Sequence, residues 1–177
     1  MSYIPERARP QLDDTEALGI EWRVAWRKDD PQLEADAEAF WREQNVLPAG
    51  VSPQDRLKEL CVLAYSEGKL AAVSTTVIRE LPFLKNNFAM FRCVVAPEFR
   101  GHSVARIIAR EAREAIETWS LDNPHEGVMG LATIVQSADI QAKSRAAVWR
   151  SSGLTLVGYN EKNEQIRVAW FGHARVF

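Results

Sequence analysis

Lysine is scarce in this 177-residue chain. Six of the 22 basic residues are lysines (Lys28, Lys58, Lys69, Lys85, Lys143 and Lys162), which leaves 16 arginines. Against 24 acidic residues the net charge is −2, so no bulk positive field draws the chain to a nucleic acid, and any phosphate binding has to be local. Cysteine is scarcer still: Cys61 and Cys93 both sit in apolar runs and form no CxxC pair. That excludes a disulfide framework and predicts two buried thiols. The three histidines, His102, His125 and His173, lack companions at metal-ligand spacing, so no metal is expected. No apolar run approaches the roughly 18 residues a membrane helix needs. The N-terminal MSYIPERARPQLDD has no apolar stretch of the secretory kind. Neither a membrane nor a nucleic acid is an expected partner, and the expected location is cytoplasmic.

What remains is an ordinary globular composition, 46% hydrophobic and 26% charged, in a length that folds as one domain without staples. Residues 1–19 are polar, carry Pro5 and Pro10, and read as an N-terminal arm, leaving 20–177 as the domain. Trp22, Val24 and Trp26 alternate with Arg23, Ala25 and Arg27, which predicts a strand over 21–27. Asp30 before Pro31 is an N-cap followed by proline at the first helical position, and Leu33, Ala37, Phe40 and Gln44 mark one stripe of the helix that follows. Ser52-Pro53 opens a second, short helix. A hairpin (62–65 and 70–78) turns at Glu67-Gly68, and a further strand over 88–95 ends at Ala96-Pro97. The longest helix starts at Val104, a buried strand covers 128–135, and a last helix is expected from Ser137 to Ser152 with Gly153 at its end. A hairpin over 154–159 and 165–171 closes the chain. The predicted fold is α/β, with a mixed, mostly antiparallel sheet of about seven strands and helices on both faces.

The stretch that carries chemistry is VVAPEFRGHSVAR. A strand ends, Pro97 prevents its continuation, and the small residues Gly101, Ser103 and Ala105 lead into the long helix. Free amides at a helix start, backed by the positive end of its dipole, suit a phosphate or pyrophosphate. Arg100 and Arg106 add guanidinium charge. A plain strand-to-helix turn with one glycine is the alternative reading of this loop by itself.

At these residues the sequence resembles the GNAT superfamily of acyl-CoA N-acyltransferases. The family's pyrophosphate loop has Arg or Gln, two residues, Gly, one residue, then Gly or Ala. Arg100 and Ala105 fit, Gly101 is extra, and Ser103 stands where the middle glycine is usual. VVAPEFRG is similar to the family's strand and loop, SRAAVWRSSGLTLVGY to its last helix and following strand, and the element order agrees from about residue 20 onwards.

The resemblance implies a gap between the strands at 88–95 and 128–135. The backbone of Val94 and Val95 would pair there with pantetheine, and the amides of Gly101, His102, Ser103, Val104, Ala105 and Arg106 would cradle the pyrophosphate. His102 and Arg106 are candidates for the adenosine or ribose phosphate, and Gln141 and Ser144 for pantetheine. It further implies acetyl-CoA as co-substrate, no metal, an amine acceptor as partner, and direct transfer; a homodimer is an allowed assembly. The tyrosine that many members use as an acid is replaced by Trp149. The strand FAMFRCVV holds no carboxylate, so Glu80 and Tyr159 are the catalytic candidates, each also readable as an ordinary surface residue. Arg92, the lone charge in its strand, is a candidate binder of an acidic acceptor. Cys93 is a poor nucleophile candidate with no adjacent histidine. A non-catalytic acyl-CoA-binding module is the competing reading, motivated by Ser103, Trp149 and the missing strand carboxylate.

Overall fold

The computed structural model describes residues 18–47 and 49–176. The arm expected over 1–19 falls almost wholly outside them, as does Pro48 in the connector between the first two helices. The elements are β1 (Ile20–Val24), α1 (Pro31–Gln44), α2 (Pro53–Leu57), β2 (Leu60–Ser66), β3 (Lys69–Leu81), β4 (Asn86–Val95), α3 (Val104–Asp122), β5 (Val128–Val135), α4 (Ala138–Lys143), β6 (Val148–Trp149), β7 (Leu154–Tyr159) and β8 (Gln165–Trp170). They form one eight-stranded sheet in the order β1-β2-β3-β4-β5-β8-β7-β6. Only β4 and β5 run parallel; every other neighbouring pair is antiparallel.

Local signals explain the early elements. Asp30 caps α1 by accepting from the amides of Gln32 and Leu33 with Pro31 at the first turn, and Ser52 caps α2 through the Gln54 amide. The β2–β3 hairpin turns on Glu67 and Gly68, both at positive φ (48° and 78°), the twist that matches flanking strands. Two expectations need correction. β1 stops at Val24 rather than residue 27, because the amides of Ala25 and Trp26 both donate to the Cys61 carbonyl (2.8 and 3.0 Å) and Arg27 turns to φ 54°. The helix expected over 137–152 ends at Lys143, and the two-residue strand β6 takes its place, which raises the sheet from about seven strands to eight.

Helices cover both faces. α3 buries Val104, Ile108, Ala109, Ala112 and Ile116 in a core with Val62, Ala64, Ala72, Ala89, Phe91 and Leu131. On the other face α1 lays Ala37, Phe40 and Trp41 on Leu63 and Val73, with Val94 packed alongside. Each fully buried leucine, isoleucine or phenylalanine stabilises the fold by roughly 1.5–3 kcal/mol. Along β4 the alternation puts Val94 on the α1 face and Ala89, Phe91, Cys93 and Val95 on the α3 face.

Candidate active site

β4 and β5 are paired only from Asn87↔Val128 to Met90↔Ala132. Beyond that point their facing edges part, while β4 stays paired with β3 to Ala72↔Val95 and β5 with β8 to Val135↔Gln165. Thr133 Oγ1 donates to the Phe91 carbonyl at 3.1 Å, just where the ladder ends. In an antiparallel ladder, residue pairs alternate between those that exchange both peptide hydrogen bonds and those whose peptide groups turn outward. Ala96 N donates to Ala71 O at 2.9 Å, which makes Val95↔Ala72 an outward-turned pair. The peptide groups of Val95 and Cys93 thus face the gap, and those of Val94 are engaged with β3. On β5, Phe171 N donates to Met129 O at 2.9 Å, and the same alternation turns the peptide of Ile134 into the gap.

At the open end of the gap Pro97–Phe99 forms a single 3-10 turn, and Arg100 Nε donates back to the Val95 carbonyl at 3.1 Å. Gly101 follows at φ 85° and Ser103 at φ 62°, so two of the three residues before α3 are left-handed. A serine before a helix ordinarily caps it from an extended conformation. Ser103 makes no side-chain cap, and the amides of Gly101, His102, Ser103, Val104 and Ala105 donate to no backbone carbonyl among the described residues. The geometry is that of a helix start left open for an anion. The residues fit a diphosphate-bearing cofactor: open amides, small side chains at 101, 103 and 105, and strand edges whose peptide groups turn into the gap leading away from them.

The far wall follows α4. Gln141 Nε2 donates to the Val135 carbonyl at 2.9 Å, tying the helix to the end of β5. Ser144 ends α4, and its carbonyl accepts from Trp149 Nε1 and Arg167 Nη2, both at 3.3 Å. Arg167, on β8, is fully buried. Burial holds its guanidinium below the usual arginine range. It was absent from the sequence reading, although a single charge in the apolar run QIRVAW was a visible signal.

The loop residues at 100–106 and Gln141 and Ser144 thus flank the open end of the gap. Glu80 does not join them. It pairs with Asn87, five positions along the ladder from the Thr75↔Arg92 pair, which is about 17 Å towards the closed end of β4 and β5. β3 is 13 residues long and simply continues past the gap. Tyr159 is exposed at the end of β7, with β8 between it and β5, about 10 Å across two strand spacings. Cys93 packs its side chain against the core beneath α3, and burial pushes its thiol up to about 12, so it is no nucleophile. Among the described residues no three His, Cys, Asp or Glu side chains are grouped to hold a metal, and no helix is long and apolar enough to cross a membrane.

No family model matches the chain, and no curated protein matches it in sequence. Solved structures do match in shape. The acetyltransferase of the GNAT family from Streptococcus pneumoniae is 13% identical, with a TM-score of 0.54 over 86% of this chain and 99% of that one. The yncA protein from Salmonella typhimurium, solved with its cofactor acetyl-CoA, is 12% identical with a TM-score of 0.55, covering 89% and 96%. Diaminobutyrate acetyltransferase EctA from Paenibacillus lautus, in complex with L-2,4-diaminobutyric acid and coenzyme A, is 14% identical with a TM-score of 0.50, covering 89% and 98%.

Proposed function

Because the chain has the GNAT fold, we propose that it is an acyltransferase that moves an acetyl group from acetyl-CoA to a primary amine of a small molecule or peptide by direct transfer. The observation that carries this reading is the parted β4–β5 edge, lined by the peptide groups of Cys93, Val95 and Ile134 and ending on the uncapped start of α3. In this reading pantetheine lies in the gap as an added strand against Cys93 and Val95. The amides of Gly101 to Ala105 take the pyrophosphate, with Arg100 held alongside by its bond to Val95 O. His102 and Arg106 flank the adenosine side, and Gln141 and Ser144 border the pantetheine.

Acetyl-CoA supplies an activated thioester. The amine nitrogen forms the new C–N bond, the C–S bond breaks, thiolate leaves with the electron pair, and the nitrogen loses a proton. A peptide N–H from Cys93 or Val95 donates to the carbonyl oxygen as charge builds there. Since neither Glu80 nor Tyr159 lines the gap, the proton leaves through water. Trp149 has only an N–H, already given to Ser144 O, so solvent protonates the thiolate.

The test is thermal unfolding with CoA, acetyl-CoA, ATP and NAD, followed by thiol release from acetyl-CoA across an amine panel. Ligand at about a hundredfold over its Kd adds about 2.7 kcal/mol, a Tm rise of roughly 5–11 °C for a chain of this size. Stabilisation by the CoA species with amine-dependent thiol release is expected. Absence of any CoA effect on folded protein overturns the reading. The missing carboxylate and Trp149 favour a second reading, a non-catalytic acyl-CoA-binding module. CoA binding without thiol release from any amine would select it.

A further inference from the structure

Arg92 sits on β4 two residues past the last pair with β5, Met90↔Ala132. Its neighbours Val94 and Val73 pack beneath α1, and alternation places Arg92 on that same face of the sheet. α3 and its open N-terminus lie over the opposite face. A cofactor held by that N-terminus leaves the α1 face for the acceptor, and Arg92 is the charge that the acceptor meets beside the gap.

Arg92 is not isolated. Arg79, paired with Phe88, projects from β3 on the same face, about 13 Å further along the sheet. Arg56, from α2, is largely buried and bonds Glu59 at 2.9 Å. The Glu59 carbonyl in turn accepts from Thr76 N at 2.7 Å, next to the Thr75↔Arg92 pair. Glu59 thus pairs with Arg56. Arg79 and Arg92 are exposed and have no carboxylate at ion-pair distance among the described residues. Partial burial, then the Arg56 charge, hold Arg92 below its ordinary range; Arg79 acts in the same direction, and Glu59 opposes. Like charges kept together without a counterion raise one another's energy, and an anion between them relieves that cost. A polycationic amine would worsen it.

We propose that the acceptor amine carries a carboxylate, that Arg92 receives that carboxylate beside the gap, and that Arg79 receives a second acidic group when the acceptor is a short acidic peptide. This rests on the acyltransferase reading and names its substrate class: amino acids and acidic peptides. The guanidinium fork matches a carboxylate in two parallel N–H···O bonds.

The full chain is assayed for thiol release with L-glutamate and the dipeptide Glu-Glu, each as free acid and as amide, and with spermidine. The free acids are expected to exceed their amides in kcat/KM by about tenfold or more. Arg92→Gln raises the KM for the acids by about 10- to 100-fold and collapses the acid-to-amide ratio towards one, while the KM for acetyl-CoA moves less than twofold. Arg92→Lys restores part of the loss by charge alone. Thermal shift gives an independent readout: acid added over saturating CoA stabilises the wild-type chain and not Arg92→Gln, with the CoA shift itself equal in both and reporting intact folding. Amides or spermidine turned over by the wild-type chain as well as the free acids, or an acid-to-amide ratio that Arg92→Gln leaves unchanged, overturns this inference and leaves the acyltransferase reading standing. Failure of CoA to bind overturns both.

Discussion

The guanidinium of Arg167 lies 4.0 Å from the centre of the Trp149 ring, fully buried and with no carboxylate beside it among the described residues. Its N–H groups go to Gln165 Oε1 at 2.8 Å and to the carbonyls of Ala147 and Ser144 at 3.2 and 3.3 Å. In a continued helix those two carbonyls would accept from residues four further on. Here Arg167 shares Ser144 O with Trp149 Nε1 and Ala147 O with the Leu156 amide. Arg167→Met keeps the volume and removes the donors; Ser144 O keeps Trp149 Nε1 and Ala147 O keeps Leu156 N, so the acceptor left without a partner is the buried Gln165 Oε1. The expected loss is about 2 kcal/mol, read as a Tm fall of roughly 4–8 °C. A fall under about 2 °C would mean that water replaces the guanidinium without cost.

That contact shows why one part of the fold was legible in the sequence and another was not. The caps at Asp30 and Ser52 and the turn at Glu67-Gly68 are local, and each formed where the residues said it would. SRAAVWRSSG has helical spacing and a terminal glycine, but the group that ends the helix at Lys143 is about 20 residues further along the chain. The loop at 100–106 was readable because its chemistry is contiguous. Which peptide groups face the gap was not, since a one-residue shift in register exchanges Val94 for Cys93 and Val95. Glu80 was placed near the cleft because the strand was expected to end at residue 78, and three more residues of β3 carry it away.

The two cysteines give a pH signature. Burial pushes both thiols up to about 12, with the neighbouring Thr76 and Ser74 hydroxyls partly opposing this at Cys61. Folding therefore favours the protonated form. That contribution is complete below the ordinary thiol value of about 8.5 and is lost as pH rises towards 12. Urea midpoints are expected to fall between pH 9 and 11, and less steeply in Cys61→Val. At pH 8 iodoacetamide should modify neither thiol in the folded chain, and no acetyl-enzyme should accumulate on Cys93 during turnover, as mass spectrometry of quenched reactions can check.

Tyr65 Oη donates to Asp36 Oδ2 at 2.7 Å, joining β2 to α1 across 29 residues of chain. Partial burial, then this bond and the Asp36 charge, raise the phenol well above its ordinary value. The raised value means stability that is present below about pH 10 and declines as pH climbs through the folded value. Tyr65→Phe should cost about 1 kcal/mol at pH 7, since Asp36 keeps its bond from Gln32. It should also remove the part of the alkaline decline that begins above pH 10. An unchanged alkaline limb in Tyr65→Phe would assign that decline to the cysteines alone.

Ser103 holds φ 62°, the left-handed conformation in which a side chain costs roughly 1–2 kcal/mol and glycine costs nothing. The serine makes no capping bond that would offset the strain. Ser103→Gly relieves the strain but gives the unfolded chain more freedom to lose, about 0.5–1 kcal/mol. The net expectation is a gain of about 0.5–1 kcal/mol, a Tm rise of roughly 1–4 °C. If the amides around it are what hold a pyrophosphate, removing the Cβ lets the anion approach as closely as before, and the Kd for CoA should change by less than twofold. Gly101→Asp is the opposing variant: it strains φ 85° and sets a carboxylate beside the same amides, so CoA binding should weaken by tenfold or more. Calorimetry on the two variants separates the roles. A tenfold loss of CoA affinity in Ser103→Gly would make the hydroxyl itself a phosphate donor, and unchanged affinity in Gly101→Asp would move the phosphate away from this loop.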